Sequence, residues 1–236
     1  YDLEEGEPTG AATGADDNIY TGGDNNIVIG GSGKDYIRAG AGSDTILGDN
    51  GEVIFAIVGT ATVIVTARST MGEFGDVDDI EAGLGADVII GGKDGDLIGA
   101  GGDADTDRDI ILGDEGELTF FEEVGLKLKE AKTIHPELGG VDIITTGNGN
   151  NVVLGGSAGD SITAGSGDDV VIGDNGKIVF SSADIIDTIE TTDPTYGGAD
   201  SIEAGLGSDV VVGGVAGDTL KAGGDEDVSR DIILGD

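Results

Sequence analysis

The sequence predicts an all-β protein, a parallel β-solenoid of nine-residue units interrupted at regular places by short hairpin or strand inserts. Three observations predict it. Glycine-rich turns recur every nine residues, an Asp or Asn holds one fixed place in each unit, and an aliphatic residue follows two places later. A tight glycine turn leading into a short β-branched strand with one inward residue per unit describes a solenoid coil. Each coil covers its apolar residue only by stacking on the next.

The elements follow in order. The first block, 12–56, reads ATGADDNIY, TGGDNNIVI, GGSGKDYIR, AGAGSDTIL and then GDNGEVIFA. Its end runs into a β-branched segment, 57–72, that breaks at Gly59-Thr60 and so predicts a hairpin. The second block, 73–120, reads EFGDVDDIE, AGLGADVII, GGKDGDLIG, AGGDADTDRDIIL and GDEGELTF. An insert at 121–136 carries LKLK alternation, expected of a half-buried strand. The third block, 137–180, reads ELGGVDIIT, TGNGNNVVL, GGSAGDSIT, AGSGDDVVI and GDNGKIVF. A shorter insert, 181–194, leads to the fourth block, 195–236: TYGGADSIE, AGLGSDVVV, GGVAGDTLK, AGGDEDVSRDIIL and GD.

Four units per block give sixteen. Their sixth position is Asp17, Asn26, Asp35, Asp44, Asp78, Asp87, Asp96, Asp109, Asp142, Asn151, Asp160, Asp169, Asp200, Asp209, Asp218 and Asp231. The eighth is always Ile, Val or Leu. Blocks one and three align at an offset of 125 and blocks two and four at 122, so a two-block module occurs twice. The chain is expected to be a window on a longer tandem array. Loops beginning AG or TG alternate with loops beginning GG or GD, as the two edges of a flattened coil require.

Composition narrows the function. Forty-eight acids against eleven bases give a net charge of −37, which makes nucleic acid and anionic lipid poor partners. No cysteine means no disulfide framework and no thiolate metal site. No apolar run is long enough to insert in a membrane. His135 is the only histidine and reads as an ordinary loop residue, and no pair of acids stands out from the repeated column. No catalytic residue is expected and the chain is not read as an enzyme.

The units GGSGKDYIR and AGAGSDTIL resemble the nonapeptide G-G-x-G-x-D-x-U-x of RTX (hemolysin-type calcium-binding) proteins, a calcium-binding repeat. The resemblance covers everything except the inserts. It implies a parallel β-roll in which each unit is half a turn, with calcium held between loops stacked on the same edge by the sixth-position side chains and loop carbonyls. Donor chemistry agrees, because flexible loops of hard carboxylate and carbonyl oxygens suit Ca²⁺ better than Mg²⁺ or a transition metal. Three same-edge gaps per block lead to an expected count of about twelve ions, whose charge of about +24 offsets most of the −37.

Several loops depart from the pattern. In GGKDGD, GGSAGD and GGVAGD the second glycine has moved beside the Asp, at Gly95, Gly159 and Gly217. Asn26 and Asn151 each remove a charge. The GDNG and GDEG turns offer Asp49, Asp114 and Asp174, expected to close the last site of each block. The lengthened loop ending at Asp109 adds Asp103, Asp105 and Asp107 with D-x-D-x-D spacing; its second copy offers Asp225, Asp227 and Ser229 before Asp231. This set is expected to add or strengthen one calcium site per module.

The inserts are expected to pack against the roll and cover it. Lys127, Lys129 and Lys132, three of eleven bases, also suggest contact with an acidic roll on another molecule. With so thin a core and so much like charge, the calcium-free chain is expected to fold poorly and to fold and stiffen on binding Ca²⁺. The reading favoured is a structural array of a secreted bacterial surface, filament or matrix protein, extracellular or at the cell surface, with self-association into an extended array as a further partner. The resemblance implies type I secretion. The alternatives are the secretion module of a toxin or hydrolase, and an adhesin region binding ice or polysaccharide.

Overall fold

The computed structural model describes residues 14–182, 185–224 and 227–235. The first block forms β1 (Asn18–Tyr20), β2 (Ile27–Gly31), β3 (Tyr36–Ala41) and β4 (Thr45–Asp49), followed by the hairpin of β5 (Gly51–Val58) and β6 (Ala61–Ser69). After a single 3₁₀ turn, Gly72–Phe74, come β7 (Asp79–Leu84), β8 (Val88–Gly92), β9 (Leu97–Ala100) and β10 (Ile110–Asp114), with insert strands β11 (Gly116–Phe120) and β12 (Leu128–Thr133). The third block gives β13 (Ile143–Thr146), β14 (Val152–Gly156), β15 (Ser161–Thr163) and β16 (Val170–Asp174), then β17 (Gly176–Ser182) and β18 (Ile185–Thr191). The fourth gives β19 (Ser201–Gly205), β20 (Val210–Val212), β21 (Thr219–Ala222) and β22 (Ile232–Leu234).

These strands build a parallel β-roll. One eight-stranded sheet takes every odd unit in the order β1-β3-β7-β9-β13-β15-β19-β21, and the other takes every even unit in the order β2-β4-β8-β10-β14-β16-β20-β22. Neither sheet is interrupted where an insert leaves the chain: β3 pairs in parallel with β7 and β4 with β8. The register places the eighth-position residues in one column, Ile37 beside Ile80 and Ile46 beside Ile89. That column, with Ala39, Ala82, Ala100, Ala164 and Ala204 from the AG loops, is the interior core between the sheets. The core is thin because each coil contributes only these two kinds of side chain, so burial per coil is small.

Stacked loops on the edges leave no room for side chains. At Gly83, φ is +107° and an added Cβ would lie 1.5 Å from the Gly40 carbonyl oxygen. The left-handed backbone and the close approach both require glycine.

The inserts form a third, antiparallel sheet in the order β18-β17-β12-β11-β6-β5. It begins at Gly51, Gly116 and Gly176, directly behind the GD turns, and lies over the even-unit sheet. The second core joins Leu118, Phe120, Leu128, Ala131, Ile178 and Phe180 from the inserts to outward Val88, Ile90, Ile110, Leu112, Val152 and Ile172 of the roll. The opposite face of the insert sheet carries a cross-strand charge ladder: Arg68 pairs with Glu52 and Glu117, Lys132 with Glu117 and Glu130, and Lys177 with Glu130. Lys127 and Lys132 thus meet acids of the inserts themselves, Lys127 with Glu123 at 3.1 Å. Exposed pairs of this kind contribute little stability each but favour this strand register over a slipped one.

Candidate metal centres

Stacking of the coils brings the sixth-position residues into two columns, one per edge. On the first edge the backbone N–H of Asp17 donates to Oδ1 of Asp35 at 2.8 Å. The bond repeats from Asp35 to Asp78, Asp78 to Asp96, Asp96 to Asp142, Asp142 to Asp160, Asp160 to Asp200 and Asp200 to Asp218, at 2.7–3.1 Å. The second edge runs Asn26 to Asp44, then Asp87, Asp109, Asn151, Asp169, Asp209 and Asp231, at 2.7–3.2 Å. From the second coil of each edge onward, every side chain therefore spends one oxygen fixing the preceding coil, and both ladders pass the inserts unbroken.

Among the described residues, the other oxygen of twelve of these aspartates has no donor. Oδ2 of Asp35, Asp44, Asp78, Asp87, Asp96, Asp109, Asp142, Asp160, Asp169, Asp200, Asp209 and Asp218 is buried without a hydrogen-bond partner. Such an oxygen carries the full cost of its lost hydration. Backbone carbonyls converge on the same spot. A Cβ built on Gly30 would lie 2.1 Å from the Gly48 carbonyl oxygen and 2.5 Å from Asp35 Oδ2. The arrangement recurs at Gly91 with Asp96 and Gly113, and at Gly155 with Asp160 and Gly173. Carboxylate oxygens that lack an N–H partner, with carbonyl oxygens facing the same small space, form a donor set for a hard cation.

Burial pushes many carboxyls of the ladders above the ordinary carboxylate range. Asp78, Asp109 and Asp169 rise to about 8, Asp87 and Asp200 to about 7, Asp209 to about 6 and Asp160 to about 10. Asp96 and Asp142 also rise well above it, and neighbouring acids of the ladder add to the effect. A divalent cation in the gap supplies the opposite charge that water no longer supplies.

The lengthened loops add one acid each to this set. Asp87, Asp105 and Asp109 present carboxylate oxygens within 4.8 Å of one another, as do Asp209, Asp227 and Asp231. Asp105 is buried and held by three bonds: its N–H donates to Gly102 O at 2.8 Å, while its carboxylate accepts from Gly85 N and Asp107 N. Asp103 and Asp107 are exposed and stand outside the cluster. Asp227 repeats the turn with Gly224, Gly207 and Ser229. Asp225 lies outside the described residues.

Asp49, Asp114 and Asp174 stand in mid-edge, since the roll has no ends between blocks. Each spends both oxygens on amides: Asp49 accepts from Asp76 and Lys93, Asp114 from Gly140 and Ser157, Asp174 from Gly198 and Val215. They clamp the chain returning from each insert to the following plain loop. In those plain loops the displaced glycine leaves Asp94, Ala158 and Ala216 at φ of 63–74°, and the N–H of Asp94 and Ala158 bonds to the returning insert.

Two side chains that the repeat pattern passed over are buried beside these columns. Glu115, in the GDEG turn, is almost fully buried and meets His135 Nδ1 at 2.7 Å, which makes His135 a clamp on the insert's return. Thr146 is buried at the head of the Asn151 loop. Their signals were Glu where the sister turns have Asn, and Thr where the sister loops have Ala.

Compared with known families, the chain matches the RTX calcium-binding nonapeptide repeat four times, over residues 12–46, 74–107, 145–177 and 195–228. No curated protein and no solved structure matches it.

Proposed function

The chain belongs to the RTX calcium-binding nonapeptide-repeat family, and on that premise we propose that it is a calcium-stiffened structural array of a secreted surface, filament or matrix protein. Calcium is its ligand class through the family. The observation that carries the finer reading is the pair of unbroken ladders with, among the described residues, twelve buried Oδ2 atoms that have no donor. Ions between adjacent loops would turn the most costly feature of the fold into its main cohesion.

The stoichiometry follows the ladders. Eight side chains per edge leave seven gaps per edge, and asparagine heads two of the gaps on the second edge. Twelve aspartate-headed gaps remain, which supports a count of about twelve ions by a route independent of block boundaries. The Asp87–Asp105–Asp109 and Asp209–Asp227–Asp231 clusters are the acid-richest positions and the proposed strongest sites.

Continuity favours an array over a plain secretion module. The insert sheet runs beside the roll through three successive blocks and adds a second core along its length. A recognition face for ice or polysaccharide has less support: the outer face of the odd-unit sheet mixes Tyr36, Asp79, Leu97, Ser161 and Thr219 along one strand position. Among the described residues no helix is long and apolar enough to cross a membrane. Electron microscopy of the purified chain in millimolar Ca²⁺ and in EGTA tests the proposal. Straight, uniform rods in calcium that vanish in EGTA are expected, and globular or calcium-indifferent particles contradict it.

A further inference from the structure

Asn26 and Asn151 occupy the calcium-facing position of the second edge, and the hydrogen bonds around them fix what their side chains do. Oδ1 of Asn151 accepts from the N–H of Asp109 at 2.9 Å, the same ladder bond that every neighbouring aspartate makes. That bond settles the orientation of the amide: Nδ2 must stand where an aspartate places its donorless Oδ2. The side chain is fully buried there. Four oxygens surround Nδ2: Thr146 Oγ1 at 3.0 Å, Ala164 O at 3.1 Å, Gly147 O at 3.2 Å and Gly149 O at 3.3 Å.

The hydroxyl belongs to the arrangement. Thr146 Oγ1 donates to the Ala164 carbonyl at 2.6 Å, which leaves its lone pairs toward Asn151. In the first copy Thr21 Oγ1 likewise donates to Ala39 O at 2.7 Å, and Asn26 Nδ2 donates to Gly22 O, Asp24 O and Asp44 Oδ1. Thr at the first loop position and Asn at the sixth occur together in these two loops. The other loops of that edge pair Ala with Asp: Ala39 with Asp44, Ala82 with Asp87, Ala100 with Asp109, Ala164 with Asp169, Ala204 with Asp209 and Ala222 with Asp231. The two changes occur together in both loops and bond each other at Thr146–Asn151, which marks a second loop design, not a weakened first one.

We infer that the Thr21–Asn26 and Thr146–Asn151 loops are ion-free rungs in which the asparagine amide stands in for the divalent cation. The inference rests on the calcium-array reading for the remaining rungs. An amide offers two N–H donors with partial positive charge to the carbonyls that would otherwise face the ion. A cation entering this gap would meet those donors head-on and find no carboxylate charge at its head. The rung is also wired to its neighbour without metal: Asn148 Nδ2 donates to Asp103 O at 2.7 Å, joining it to the lengthened loop that carries Asp105. The Asn151 rung thus closes a contact between coils without calcium, beside the Asp87–Asp105–Asp109 cluster.

Anomalous diffraction from crystals of the whole chain grown in calcium tests this site by site. The wild type is expected to show peaks at aspartate-headed gaps and none against Asn151. The T146A/N151D exchange, which copies the sister loops, is expected to gain a peak there. A second arm does not depend on that variant folding: N151A in solution should leave the calcium count unchanged and lower the melting temperature of the calcium-loaded protein by roughly 5 °C. A calcium peak against Asn151 in the wild type, or loss of one ion in N151A, overturns the inference. A wild type with no calcium peak anywhere contradicts the array proposal instead.

Discussion

Asp105 shows how much one side chain decides in this fold. Three alternating acids precede Asp109 in the lengthened loop, and only Asp105 is turned inward, by its N–H bond to Gly102. D-x-D-x-D spacing makes all three equivalent in sequence; the turn that distinguishes them is a backbone event. Asp105→Ala is therefore expected to weaken one calcium site by about tenfold or more, as loss of a carboxylate ligand should, whereas Asp103→Ala leaves the titration unchanged. Isothermal titration calorimetry on the two variants checks this, and equal curves would remove the cluster from the account. The buried ladder makes a second prediction at this scale. Unfolded aspartates titrate near 3.8, while Asp209, Asp200 and Asp78 in the folded roll titrate at about 6, 7 and 8. A raised folded-state value means that the folded form binds protons more tightly. The calcium-free roll is thus most stable at low pH and loses that stability as pH rises through this window. In EGTA, strand content should increase as pH falls from 8 to 5; circular dichroism showing the reverse trend would contradict the burial on which the metal sites rest.

Among the elements, the two sheets of the roll face different surroundings. Most even units carry apolar residues on both sides of the inward one, as in Val88-Ile89-Ile90 and Ile110-Ile111-Leu112, while most odd units carry at least one polar residue there, as in Tyr36-Ile37-Arg38 and Ser161-Ile162-Thr163. That contrast marks which sheet the inserts cover, and it is visible in the sequence once the units are sorted by parity. The roll itself was legible because its signal is one Asp and one aliphatic residue at fixed spacing. Continuity across the inserts was not. The segment from Gly51 to Gly75 separates the ladder aspartates Asp35 and Asp44 from the next two, Asp78 and Asp87, and nothing in its residues tells that the chain returns to the same edges. Pairing of β6 with β11 and of β12 with β17 was hidden for the same reason, since each hairpin alone looks like an isolated loop. Phe180→Ala removes a large side chain from the second core without touching a ladder residue. It should cost about 3–5 kcal/mol of stability in calcium while leaving the ion count intact. Thermal melts paired with calcium titration check this, and a fall in ion count would mean that the insert sheet shapes the edges directly.

For the whole molecule, the balance of forces points to metal-dependent folding. Two thin cores oppose a net charge of −37 and a row of buried carboxylates whose outer oxygens, among the described residues, have no hydrogen-bond donor. A family of calcium-binding repeats supplies the missing term, and the repetition of identical gaps along two edges makes its effect cumulative. The ion-free rungs give the array fixed points that do not depend on that term. The most direct measurement is far-ultraviolet circular dichroism of the whole chain at pH 8, first in EGTA and then with millimolar Ca²⁺. A largely unfolded spectrum is expected in EGTA, converting to a strand spectrum on calcium addition and reverting on chelation. A full strand spectrum already present in EGTA, unchanged by calcium, would contradict metal-dependent folding.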